Sequence, residues 1–371
     1  MTLVSARKVW EAQGLSGKLL WLSLLPASFL YSIAMQVRNA LYAHGLMKSL
    51  HLGRPVVSVG NLTVGGTGKT PACLWLAKEL SDRGLRVGIL SRGYRRKAAV
   101  PLVLQAKAGD VTAVGDNDII EAGDEPLMMA RLYGQTVGVC EDRLNAASEV
   151  LRKVNVDVFI LDDGFQHRRV KRTVDLLLLG ADASGWVLPA GPFRERRSNL
   201  RRADFLISTA GNGAWNDVIG RGRASPCFTA ALRPVALISL AARGCKEFPL
   251  TLLYRSKILT VTGIADPRGL YRLIHEWEGE IVETLEFPDH HCYTARDWQQ
   301  INRMGRLVDL IITTEKDILK LTRFPFAKDK LLALRVAMTV ENGPALVGAI
   351  VEKIDQARSR TGSMAGSEKE P

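Results

Sequence analysis

The chain has 371 residues, 47% of them hydrophobic, a length and content that predict two globular domains, each with a core of its own. Fifty basic against 38 acidic residues give a net charge of +12, which suits nucleic acid, an anionic membrane surface or an acidic substrate. Aromatic residues make up only 6% with no zinc-finger or RNA-reading pattern, so no nucleic-acid partner is expected; the five scattered cysteines, never in C-x-x-C spacing, predict neither disulfides nor structural zinc and suit a reducing cytosol.

The first predicted element is the uncharged run Leu19 to Val37, between Lys18 and Arg38. As a helix it is about 28 Å long, close to the roughly 30 Å hydrocarbon core of a bilayer. Against a span stand Pro26, the polar Ser23, Ser28, Ser32 and Gln36, and basic residues on both sides (Arg7, Lys8 and Lys18; Arg38, Lys48 and Arg54). No small-residue cleavage site ends the run, which argues against a signal peptide. The expectation is a helix lying in the cytoplasmic interface with its flanking cations near anionic lipid. A helix packed on the protein's own core is the alternative.

Next comes the apolar run Val56-Val57-Ser58-Val59, then Thr63-Val64-Gly65-Gly66-Thr67-Gly68-Lys69-Thr70, then the helical pattern Leu74, Leu76, Ala77, Leu80. A strand entering a glycine-rich loop that opens a helix aims backbone N–H groups at a phosphate. In such a P-loop Lys69 reaches the β- and γ-phosphates and the Thr70 hydroxyl is a Mg²⁺ ligand. Thr63 stands where the strict pattern has its first glycine.

Short apolar strands follow at Arg86–Leu90, Val137–Cys140, Val158–Leu161, Asp175–Leu179 and Phe205–Ser208, with helical patterns between them. Strands apolar on both faces and alternating with helices predict a parallel sheet covered on both sides. Regularity weakens from Gly211 to Leu253. A second α/β series then runs through Ile258–Val261, the helix Leu270–Trp277, Ile281-Val282, the helix Ala295–Leu307, Leu310–Thr313, Leu331–Leu334 and the helix Pro344–Ala357. The expected fold class is therefore α/β: a P-loop NTPase-like parallel sheet plus a smaller C-terminal α/β lobe and an N-terminal apolar helix. The expected division is a membrane-associating segment 1–54, a P-loop core 55–235, a linker 236–256, a lobe 257–358 and a disordered tail 359–371.

Val158 to Leu161 ends in Asp162-Asp163, a hydrophobic strand with carboxylates at its C-terminal end, where they can hold Mg²⁺ or its water beside the P-loop. Arg143 and Arg194 are candidates to meet a phosphate, and Glu195 to support Mg²⁺, though Arg194-Glu195-Arg196-Arg197 also reads as a surface charge run. Asp124 precedes a helical pattern and suits a helix N-cap as well as catalysis. A metal at His290-His291-Cys292 is disfavoured, because adjacent side chains diverge.

Gly60-Asn61, Gly123-Asp124-Glu125-Pro126, Asp162 to His167, Pro189 to Glu195, Asp289-His290 and Thr313-Thr314-Glu315-Lys316-Asp317 occur in this order. Together they resemble the tetraacyldisaccharide 4′-kinase family over nearly the whole chain. The resemblance implies transfer of the ATP γ-phosphate to the 4′-hydroxyl of a tetraacyl disaccharide 1-phosphate, forming lipid IVA at the cytoplasmic face of the bacterial inner membrane. It implies Asp124 as the catalytic aspartate and His290 as its partner, and its variant P-loop also lacks the strict first glycine. ATP and Mg²⁺ are the expected cofactors, peripheral contact with anionic membrane is expected, and no obligate protein partner is. Phosphoryl transfer needs mainly positioning, Mg²⁺, cations and a group to accept the hydroxyl proton, which a carboxylate oriented by histidine supplies. A P-loop switch or metallochaperone is the alternative class. Against it, Val64 stands where partitioning ATPases carry a signature lysine, and no N-K-x-D guanine-reading motif is present.

Overall fold

The computed structural model describes residues 9–11, 14–94, 96, 100–105, 116–209, 214–219, 225–241, 244–327 and 329–367. The chain forms two compact units: 1–91 with 142–231 and 338–371, and 92–141 with 232–337.

In the first unit five strands pair in the order β7-β6-β1-β5-β2 and all run parallel. They are β1 (Val56–Asn61), β2 (Val87–Ser91), β5 (Val158–Asp162), β6 (Val174–Leu179) and β7 (Phe205–Ser208). Every residue of β1, β5, β6 and β7 is buried, as expected of a sheet with helices on both faces. Val59 of β1 lies opposite Asp162 of β5, so the loops leaving these two strands emerge side by side. The helix α2 (Lys69–Ser81) packs on β1, β2 and β5 through Ala72, Cys73, Leu74, Leu76, Ala77 and Leu80. The terminal helix, Gly343–Ser367, packs on α2 and β6.

The N-terminal helix α1 (Gly14–Ala43) inverts the usual polarity of a surface helix. It buries Ser28, Ser32 and Asn39 and exposes Leu15, Leu19, Leu22, Phe29, Leu30 and Val37, each more than half accessible. Its inward polar groups bond the segment 187–196: Ser28 Oγ donates to Val187 O (2.6 Å), Trp21 Nε1 to Ala190 O (3.0 Å) and Tyr31 OH to Arg194 O (3.0 Å). The helix therefore does not bury its apolar residues in the protein's own core.

In the second unit β3 (Leu102–Leu104) and β4 (Thr136–Val139) form an antiparallel pair. Its larger sheet has β10 (Lys257–Thr262) between β11 (Glu280–Glu286) and β12 (Leu310–Thr314), with β13 (Leu331–Val340) beyond β12, all parallel. β8 (Cys227–Ala241) lies next to β13 and pairs antiparallel with β9 (Gly244–Phe248). The helix α4 (Asp124–Tyr133) packs on α9 (Glu315–Leu321).

Three expectations of organisation are corrected. The stretch 236–256, read as a linker, holds the end of β8, all of β9 and a 3₁₀ turn; Pro234 interrupts the β8 pattern and hid a 15-residue strand. The two units are not the sequential domains 55–235 and 257–358: residues 92–141 belong to the second and the terminal helix to the first. That helix runs to Ser367, through most of the tail expected to be disordered, because no proline or glycine pair stops it; residues 368–371 lie outside those described.

Candidate functional site

The glycine-rich loop leaves β1 at Asn61. Thr63, in place of the first glycine, is buried and bridges Phe193 antiparallel, while Val64 N–H donates to Pro192 O (2.9 Å). That extended pairing demands no positive φ, so a β-branched residue fits. Gly65 (φ 109°) and Gly68 (φ 82°) are the positions where the loop needs glycine. Gly66 and Thr67 complete the turn, and Thr67 Oγ1 accepts from Asn61 Nδ2 (2.9 Å). No side chain caps α2, which begins at Lys69 and Thr70, so its first N–H groups stay available to an anion. Lys69 Nζ lies 3.4 Å from Asn61 Oδ1 and 3.7 Å from Asp163 Oδ1.

Asp162 and Asp163 have opposite environments. Asp162, ending β5, accepts from Ser91 Oγ (3.1 Å) and from Cys73 Sγ (3.7 Å), and burial, with the Asp163 charge beside it, raises its proton affinity. Burial acts the same way on Asp163, but Lys69 and Arg194 outweigh it and hold that carboxyl below the ordinary range. Arg194 donates through one nitrogen to both oxygens of Asp163, at 2.8 and 2.7 Å. Arg143 is buried with Nη2 3.5 Å from Asp162 O. Two carboxylates and the Thr70 hydroxyl are hard oxygen donors, the set Mg²⁺ takes when phosphates and water complete its shell. Among the described residues no cluster of three or more His, Cys, Asp or Glu makes a protein-only cage.

Glu195, expected to support the metal, is engaged elsewhere. It is fully buried, and its Oε2 accepts from Asn39 (2.7 Å), Asn199 (2.8 Å) and Arg202 (2.8 Å). Phe193 bridges Thr63, Arg194 N–H bonds Leu62 O, and the chain bends at Arg194 and Glu195, which sends the two side chains to different partners. Arg194 thus reaches Asp163 while Glu195 anchors α1. Nearby arginines pair within the protein: Arg168 donates to Asn39 O, the exposed Arg169 pairs with Asp142, and Arg172 pairs with Asp175. Next to Glu195 lies a cavity of about 300 Å³ bounded by Ser32, Phe29, Trp186, Val187, Phe193 and Arg197.

In the second unit the Gly123-Asp124 turn opens α4. Gly123 is the cap and Asp124 the first helical residue, so the N-cap alternative for Asp124 does not hold. Asp124 is 5% exposed, and both its oxygens face His290 Nδ1, at 2.8 and 3.0 Å. Burial works to raise its proton affinity, yet His290, Lys316 and Lys320 hold the carboxyl well below the usual range. His291 turns away to Asp297 (3.0 Å), as expected of adjacent side chains.

Several site residues went unassigned in the sequence. Asn61 and Gln166 brace the phosphate loop, the latter donating to Asn61 O (2.9 Å). Lys316 and Lys320, one helical turn apart on α9, bring two ammonium groups 3.7 and 3.5 Å from Asp124 Oδ2. Their i, i+4 spacing just after a strand end was the available signal. Asp317 fixes the turn before them, accepting from Gly263 N (2.9 Å) and Thr314 Oγ1 (2.8 Å).

The chain matches the family described as "LpxK: Tetraacyldisaccharide-1-P 4'-kinase" over residues 20–355. It is similar to a tetraacyldisaccharide 4'-kinase of Syntrophus aciditrophicus, 36% identical over 337 residues that cover 85% of this chain and 88% of that protein. A Geobacter sulfurreducens protein of the same name is 36% identical over 326 residues, 84% of this chain and 87% of its own length. A crystal structure of LpxK from Aquifex aeolicus in complex with ATP superposes with a TM-score of 0.73 at 33% identity, covering 90% of this chain and 99% of that one. By sequence and by fold, the chain belongs to the tetraacyldisaccharide-1-P 4'-kinase family, the lipid A pathway kinases.

Proposed function

We propose that this chain transfers the γ-phosphate of ATP to the 4′-hydroxyl of a tetraacyl disaccharide 1-phosphate, and that it does so at the cytoplasmic face of the inner membrane. The carrying observation is the phosphate loop beside a carboxylate pair that already holds Lys69 and Arg194. In this reading the loop N–H groups and Lys69 bind the nucleotide phosphates, and Arg194 and Arg143 supply further positive charge. Thr70, Asp162 and Asp163 would hold Mg²⁺, which when bound neutralises charge on the transferred phosphoryl group. The 4′-oxygen forms the new bond to phosphorus as the bond to the ADP oxygen breaks, and the hydroxyl proton passes to the Asp124–His290 pair.

Two features support a lipid acceptor. The exposed apolar side of α1 suits the acyl boundary of a membrane, and its inward polar side binds it to the protein. The 300 Å³ cavity under α1, apolar at Phe29, Trp186 and Phe193 and polar at Ser32, suits the end of an acyl chain. The test is ³²P transfer from ATP to purified disaccharide 1-phosphate in detergent micelles. A labelled lipid is expected. Folded protein that hydrolyses ATP and labels no lipid overturns the proposal.

A further inference from the structure

Asp317 is linked to both members of the Asp124–His290 pair. It is fully buried in the first turn of α9. Its Oδ2 accepts from Gly263 N (2.9 Å) and Thr314 Oγ1 (2.8 Å), so the chain leaving β10 and β12 fixes the carboxylate. One link from there is backbone. Gly263 O accepts from His290 N (3.1 Å), and His290 sits in the left-handed region at φ 60°, uncommon for a residue with a side chain. Gly263 itself has no room for one: a Cβ there would stand 3.0 Å from Asp317 Oδ1 and 3.2 Å from Tyr293 OH. The other link is an ion pair. Asp317 Oδ1 lies 2.8 Å from Lys320 Nζ, and that ammonium, on a side chain only 2% exposed, lies 3.5 Å from Asp124 Oδ2.

Resting on the reading that this pair accepts the hydroxyl proton, we propose that Asp317 is its positioning residue: it sets the His290 backbone through Gly263 and restrains the Lys320 ammonium, which orients the Asp124 carboxylate without displacing the imidazole. A buried ammonium facing a single carboxylate closes on it, because no water shares the charge. Here two carboxylates share Lys320, which sits nearer Asp317, at 2.8 Å, than Asp124, at 3.5 Å. Both oxygens of Asp124 are thereby left to His290 Nδ1, at 2.8 and 3.0 Å. The Tyr293 ring, 5.5 Å from Lys320 Nζ, packs beside the same ammonium. Lys316 also approaches Asp124 Oδ2, at 3.7 Å, but it lies closer to Asp289 Oδ1, at 3.1 Å, and its side chain is more exposed. The buried Asp317–Lys320 pair, tied to two strand ends, is therefore the fixed reference for the carboxylate.

The test is kcat and KM of the full chain with ATP and lipid acceptor. Asp317→Asn keeps an oxygen for Gly263 N–H but removes the charge that restrains Lys320. Misplacing a reacting group by about 1 Å costs up to roughly a hundredfold, so kcat should fall about 10- to 100-fold while KM for ATP stays within about twofold. Adding Lys320→Met to Asp317→Asn leaves no lone buried charge and should return part of the lost kcat, because no ammonium then competes with the imidazole. On the Asp124→Asn background, Asp317→Asn should cost less than about twofold, since residues acting as a unit are not additive. Should Asp317→Asn melt below the assay temperature, Gly263→Ala replaces it, pressing on Asp317 with every charge kept; the same loss and the same dependence on Asp124 are expected. A near-normal kcat, a change confined to KM for ATP, a loss undiminished without Asp124, or a double variant no faster than Asp317→Asn overturns the proposal. The underlying reading fails separately, if Asp124→Asn and His290→Gln enzymes keep near-normal kcat; a wild-type-like Asp317→Asn enzyme with those two crippled removes the positioning role alone.

Discussion

Lys69 lies 3.7 Å from Asp163 and 3.4 Å from Asn61, a lysine held by two oxygen acceptors beside the loop meant for phosphate. Asp163 is kept ionised by Lys69 and Arg194, so it serves both as anchor for the cations and as a ready oxygen donor. Lys69→Ala removes a charge-assisted contact to the transferred group and leaves Asp163 with Arg194 alone. Loss of one such preorganised donor costs roughly 10²–10³ in kcat. That drop is expected with an unchanged melting curve, and turnover within tenfold of wild type would retire the assigned role. A second residue carries a pH signature. Burial, reinforced by Arg143, lowers the His167 ring to about 4. Between that value and the ordinary ~6.5 the unfolded chain binds the proton and the folded chain does not. Its contribution to stability is therefore complete above about 6.5 and is lost as pH falls toward about 4. Urea midpoints at pH 7 and pH 4.5 should drop further for the wild type than for His167→Gln; parallel drops would contradict the buried neutral ring.

At the level of elements, α1 shows what a sequence pattern leaves undecided. The run Leu19 to Val37 is legible as an apolar helix from its lack of charge, but its outward face depends on hydrogen bonds to residues more than 150 positions away. No local period encodes them. Asn39 and Ser28 look like blemishes in an apolar run, yet they are the contacts that fix it. The P-loop, the carboxylate strand and the Asp124 turn were legible because each is a contiguous motif at an element's end. Adjacency to Arg194 did not place Glu195 beside the phosphate loop: Arg194 goes to Asp163, and Glu195 to Asn39, Asn199 and Arg202, partners that no local pattern encodes. Replacing Leu19, Leu30 and Val37 by serine should weaken binding to anionic vesicles. At about 1.5–3 kcal/mol for each fully buried side chain, even partial insertion of three amounts to about 3 kcal/mol, or roughly a hundredfold in partition. The melting temperature should not fall, since these side chains touch little of the protein. Unchanged vesicle sedimentation would sink the membrane contact.

On the scale of the whole molecule, neither unit is a continuous piece of chain. The first takes in residues 1–91, leaves, returns for 142–231, leaves again and closes with 338–371. Its last contribution, the helix Gly343–Ser367, buries Leu346, Val347, Ile350 and Ile354 completely and reaches Asp204 through Lys353 (2.8 Å). It also packs on α2, the helix that begins the phosphate site, where Trp75 meets Gly343. Four fully buried aliphatic side chains are worth about 6–12 kcal/mol of transfer free energy, the same size as the roughly 5–15 kcal/mol by which a domain is stable at all. A chain ending at residue 336 keeps Thr63 to Thr70, Asp162, Asp163, Arg143 and Arg194 yet lacks that helix. It should lose the cooperative thermal transition and the ATP-dependent rise in melting temperature that the full chain shows by linkage. Adding the 338–367 segment back as a separate peptide should restore part of both. If the truncated chain melts cooperatively and ATP still stabilises it, the helix is an appendage and the phosphate site depends only on the segments that carry its motifs.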